Sequence, residues 1–136
     1  MGVTTAIANG WKQQILTQVG SHNLKVALFL QASASLDKST ASYIGSGEVV
    51  GSGYTAGGQA LSGKSVSVSS DTAILDASDL SWPNSSITAD AAMLYDADDG
   101  NRCLRVWTFA STTSNNSTFT LTMPGPDSTH GLLRIA

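Results

Sequence analysis

Cysteine is nearly missing from this sequence. Cys103 stands alone among 136 residues, which excludes an internal disulfide and any multi-cysteine metal site, and its apolar neighbours read as those of a buried core thiol. Charge is equally scarce. Lys, Arg, Asp and Glu make up 12% of the chain and the net charge is −3, so there is no basic face for nucleic acid or for anionic lipid. No stretch approaches the ~20 apolar residues of a membrane span, and no basic segment leads into a long apolar run at the start. The expectation is a soluble protein that is not exported by that route. The sequons at Asn84, Asn115 and Asn116 then read as turns.

The usual groups for catalysis are thin as well. His22 in "GSHN" and His130 in "STHG" sit among turn residues, with no Cys or second His at ligand spacing. No G-x-S-x-G elbow supports a serine triad. Glu48, the sole glutamate, has nine Asp residues as possible partners, and no spacing selects a pair for sugar hydrolysis. The sequence therefore predicts no catalytic residues, no metal ligands and no cofactor. At this length one domain can bury roughly two-thirds of its extended surface, so a real core is available.

What is present is periodicity. Ile7, Trp11, Ile15 and Val19 recur every four residues, and this spacing predicts an amphipathic helix over residues 4–19 with Gly20 as its stop. From Asn23 the period falls to two: "LKVALFLQ", "KSVSVSS", "SSITADAAMLYDA", "CLRVWTFA", "STFTLTMP" and "GLLRIA" alternate between turn-forming clusters. Strands of this kind with one helix predict a mainly β fold: an antiparallel β-sandwich, jelly roll or small barrel. Residues 1–22 would be an N-terminal helix or arm, and 23–136 a β domain with an extended glycine-rich loop over 32–63. Trp82, Tyr95, Trp107, Phe109, Phe119 and Leu121 fall on the strands and are assigned to the core or to a subunit interface.

Two motifs invite a ligand. "GQALSGKS", Gly58–Ser65, matches the phosphate-loop pattern, but that loop needs a buried strand before it and a helix beginning at its Lys-Ser end. Here "GSGYTAG" precedes it and "SVSVSS" follows with period two, so Lys64 is expected to open a strand. "TAILD" ending at Asp76 imitates the magnesium-binding strand of such proteins, without the alternating helices around it. In "YDADDGNRCLRVW", Asp96, Asp98 and Asp99 resemble a calcium loop, yet Gly100 falls at position five and Trp107 at position twelve. A hairpin turn fits better.

"YIGSGEVVGSGYTAGGQALSG", "DLSWPNSSITADAAMLYDA" and "FTLTMP" together resemble a group of small structural proteins of tailed bacteriophages. In that group a GSGYTAGG loop, a Trp-Pro/Asn strand leading to Y-D/N and a final F-T-L strand occur in this order. The likeness covers roughly residues 24–136, leaving the N-terminal helix unmatched. It implies a virion component made in the bacterial host cytoplasm: a capsid cement or decoration protein whose partners are the major capsid protein and itself, as homotrimer or homodimer. The alternative is a low-copy neck, tail or fibre component, with carbohydrate binding as one form of that role. On the cement reading, Tyr43, Val49, Val50 and Tyr54 in the loop and Ile7 and Trp11 in the helix are the expected intersubunit contacts, because aromatic residues in a glycine-rich setting have few local partners. An extended loop gains about 3.3 Å per residue and could reach a neighbouring subunit.

Overall fold

Alternation became strand at every stretch quoted above. The computed structural model describes residues 6–123 and 131–136. In chain order they form helix α1 (Asn9–Gly20), strand β1 (Leu24–Phe29), the one-turn helix α2 (Gln31–Ala34), and strands β2 (Gln59–Ala60), β3 (Ser65–Ser69), β4 (Thr72–Asp76), β5 (Leu80–Ser85), β6 (Thr88–Asp96), β7 (Arg102–Thr113), β8 (Ser117–Leu121) and β9 (Leu133–Ile135). The fold is mainly β, antiparallel throughout, and sandwich-like. Three sheets run β2-β1-β6-β7, β3-β4-β9 and β5-β8.

Two hairpins organise these sheets. Ser70 and Asp71, both with positive φ, make the two-residue turn between β3 and β4, a geometry whose twist suits a right-handed ribbon. The turn between β6 and β7 uses Gly100 and Asn101 in the same left-handed region, as the hairpin reading of "DADDGN" expects. "TAILD" is the middle strand of its sheet, with β3 on one side and β9 on the other, and its Ala73, Ile74 and Leu75 are wholly buried. Pro83 is tolerated in β5 because that strand pairs with β8 alone and has a free edge for a residue lacking N–H.

One core cluster draws on α1, β1, β4, β5, β6 and β8, with Trp82 and Phe119 meeting edge to face at its centre. A second, smaller cluster lies on the far face of the four-stranded sheet, where Ala34, Leu36, Phe29, Met93 and Tyr95 pack together. Trp82, Tyr95, Phe119 and Leu121 are buried. Trp107 and Phe109 are half-buried against the main core.

The helix differs from its expectation in extent and in face. It begins at Asn9 rather than within residues 4–8 (4 and 5 lie outside the described residues), and it includes Gly20. A Cβ at Gly20 would come within 3.3 Å of the Leu75 side chain, so the close approach to β4 favours glycine there. The docked side is Lys12 and Leu16 rather than Ile7, Trp11 and Ile15. Lys12 is 6% exposed: its stem lies on the apolar surface while its ammonium donates to the Asp71 carbonyl at 2.9 Å, the habit of a long amphipathic side chain. Leu16 joins the main core, a burial worth about 1.5–3 kcal/mol.

The loop expected over 32–63 is not wholly irregular. Its ends are taken by α2 and β2, and between them the chain is fastened to the four-stranded sheet by β-bridges at Phe29–Glu48 and Ser42–Arg102.

Candidate functional site

Residues 43–58 wrap the rim of the four-stranded sheet around a single carboxylate. Tyr43 Oη donates to Glu48 Oε1 at 2.5 Å, Tyr54 Oη donates to Glu48 Oε2 at 2.6 Å, and the Gly57 N–H donates to the same oxygen at 2.8 Å. Tyr54 Oη accepts in turn from the Leu28 N–H of β1, while Tyr95 of β6 donates to the Gly57 carbonyl at 2.6 Å. The Tyr43 ring stacks on Tyr95 with centroids 4.9 Å apart. Burial first, and then the bond to Glu48, push the Tyr43 and Tyr54 phenols well above the usual tyrosine range, so both remain donors at neutral pH. This clasp folds the loop onto β1 and β6. A charged acceptor with three donors is a strong tether.

Glycine makes the wrap possible where backbone meets backbone. At Gly58 (φ +78°) a Cβ would lie 1.8 Å from the Val26 carbonyl oxygen, a contact no other residue allows. Gly58 is also the first residue of the phosphate-loop lookalike, whose remaining residues have equally ordinary work. Gln59 and Ala60 form β2, Gly63 turns beside Ser78, Lys64 Nζ donates to the His22 carbonyl at 2.6 Å, and Ser65 starts β3. No helix follows, so the backbone amides and helix dipole of a phosphate site are not assembled.

The six residues expected to make intersubunit contacts are not brought together. Val49 is buried in the main core. Tyr43 and Tyr54 are spent on the clasp and on Tyr95 and Trp82. Three remain on the surface: Ile7 is 56% exposed, Trp11 53% and Val50 94%. The first two belong to the α1 end and Val50 to the rim loop.

The acidic turn is likewise internally satisfied. Asp96 Oδ2 lies 2.6 Å from His22 Nδ1 and its Oδ1 accepts from the Asp98 N–H. Asp98 accepts from the Asn23 N–H and Asp99 pairs with Arg102. No group of three or more His, Cys, Asp or Glu among the described residues could hold a metal ion. The hydrogen bond that His22 donates to Asp96 raises its pKa above 6.5, reinforced by the fields of Asp96, Asp98 and Asp99. His130 lies outside the described residues. Burial lifts the Cys103 thiol pKa, which leaves it a poor nucleophile.

Sequence reasoning missed Glu48 as the hub and the outer edge of β7 as an open surface. The signal for the first was there, a lone glutamate between two tyrosines in a Ser/Gly segment; for the second there was none, because strand order is not local. No helix among the described residues is long and apolar enough to cross a membrane. Compared with known proteins, the chain matches no family model, no curated protein and no solved structure.

Proposed function

We propose that this protein is a bacteriophage virion structural protein, a capsid cement that stabilises the assembled shell through contacts between subunits. The observation that carries the reading is the exposure of Ile7, Trp11 and Val50 on a domain whose other large side chains are mostly put away. Scattered exposed aliphatic residues are ordinary, but a tryptophan half in water at the end of a docked helix is a ready anchor for a neighbour. The likeness of residues 24–136 to small phage structural proteins supports the setting. A scarcely charged surface fits many weak seams acting together, since binding only the assembled lattice stabilises it by mass action. Among the described residues no strand aromatic is exposed, which favours this over a sugar-binding tail or fibre component that needs such a platform.

The test is copy number and attachment. Mass spectrometry of purified particles should find roughly hundreds of copies, as the repeated seams of a closed symmetric shell require. Trp11→Ala should fold normally and bind shells at least about tenfold more weakly. A few copies per particle, or full binding by Trp11→Ala, would overturn the reading.

A further inference from the structure

Strand β7 ends the four-stranded sheet, and among the described residues its outer edge is unpaired along a stretch that the hydrogen-bond pattern identifies. The Leu24 and Leu28 carbonyls accept from Leu61 and Val49, so alternate residues of β1 face the loop and Lys25, Ala27 and Phe29 face β6. Their register partners Tyr95, Met93 and Ala91 therefore bond to β1, leaving Leu94 and Ala92 for β7. Those two pair with Arg105 and Trp107. Val106 and Thr108 consequently turn their N–H and C=O groups outward. Nearer the hairpin the same edge is occupied: Cys103 N–H donates to the Ala41 carbonyl at 3.0 Å and Tyr43 N–H to the Asn101 carbonyl at 2.8 Å. Before Ala41 the chain is off the edge, because the Asp37–Thr40 turn closes on itself through Thr40 N–H to Asp37 O and Ser39 N–H to Asp37 Oδ1.

The place so vacated is a groove of about 350 Å³ lined by Asp37, Lys38, Thr40, Leu104, Arg105 and Val106. Its lining includes Cys103 and Val106, which pack on one face of the sheet, and Leu104, which packs on the other; the groove thus follows the strand edge rather than either face. Register shifts at Leu94/Tyr95 and at Ala89/Ala91 bound the regular stretch of β7 to Arg105–Thr108. From Val106 to Thr113 the strand has no charge and no proline, the devices that normally keep an edge from pairing.

We infer that this edge receives a short extended segment of a partner protein, one carrying a carboxylate, added antiparallel to β7 in line with Ala41–Tyr43. Arg105 and Lys38 outnumber Asp37 along the groove, and one Asp37 oxygen is already engaged by the Ser39 N–H, so the lining carries a net positive charge. Among the described residues Arg105 has no carboxylate partner: its guanidinium donates to the Gly131 and Leu132 carbonyls and lies 5.3 Å from the Trp107 ring. Burial first, and then the field of Arg134, disfavour its charge, and an incoming carboxylate would offset that cost. Two copies pairing edge to edge would set two Lys38 and two Arg105 against only two Asp37, a net repulsion that disfavours a second copy as occupant. Main-chain bonds would supply affinity and the charge its selectivity. The site stands whether or not the protein belongs to a virion.

The probe is a capped eight-residue peptide of alternating Val and Thr with one central Asp, titrated into the isotope-labelled full chain. Amide shifts should concentrate at Leu104, Val106, Thr108 and Lys38, and the same peptide with Lys for Asp should bind about tenfold more weakly. Val106→Pro removes an outward N–H that β6 does not use and should abolish binding. Should that variant misfold, Lys38→Glu on the surface turn should reverse the preference between the two peptides. Equal affinity for both peptides, shifts away from this edge, or a concentration-dependent dimer that Val106→Pro dissolves would each overturn the inference, the last by giving the edge to a second copy.

Discussion

Glu48 shows how one side chain can decide a segment that has little hydrophobic content of its own. Its two oxygens collect three donors from Tyr43, Tyr54 and Gly57, and removing the charge leaves those donors facing a weaker acceptor. Glu48→Gln should therefore lower stability by about 1–3 kcal/mol in urea unfolding. It should also speed amide exchange of residues 43–58 ahead of the strands. Tyr54→Phe should cost more than Tyr43→Phe, because the Tyr54 hydroxyl also holds the Leu28 N–H.

His22 gives a pH dependence of definite sign. Its bond to Asp96 raises its pKa above the ordinary 6.5, so the folded state holds the proton more tightly than the unfolded chain. That contribution is fully present below about pH 6.5 and fades as the pH rises through the higher folded value. Stability curves of the protein and of His22→Gln should differ most in acid and converge in mild alkali. A constant difference across that range would refute the pairing as the cause.

At the scale of elements, α1 is held by its buried side while its neighbouring side is left in water. Leu16→Ala removes core contacts and should cost about 2–5 kcal/mol, whereas Trp11→Ala should change stability by less than about 0.5 kcal/mol. Thermal unfolding of the two variants checks this contrast. The loop element depends on backbone proximity instead. Gly58→Ala places a methyl onto the Val26 carbonyl at a positive φ, and should destabilise by well over about 1 kcal/mol, visible as a lowered urea midpoint.

At the scale of the whole molecule, the three sheets share one core: the main cluster joins residues from α1 through Leu132. Such a chain should unfold in a single cooperative transition. Fluorescence, dominated by buried Trp82 against exposed Trp11 and half-buried Trp107, should give the same urea midpoint as far-ultraviolet circular dichroism. Separate midpoints would mean that the helix or the two-stranded sheet melts alone.

Much of this architecture was legible in the residues. Alternation at period two is a property of the pleat itself, so the stretches around Val26, Val68, Met93, Val106, Phe119 and Arg134 declare strands wherever they are placed. The Asp-Gly turn before β7 declares a hairpin for the same local reason. The helix face was misread because Lys12 can be buried lengthwise once a carbonyl waits at Asp71, a partner fifty-nine residues away. Glu48 between its tyrosines, Gly58 against Val26 and the outward amides of Val106 all depend on which strands become neighbours. That pairing is decided by long-range packing, and only the tertiary structure contains it.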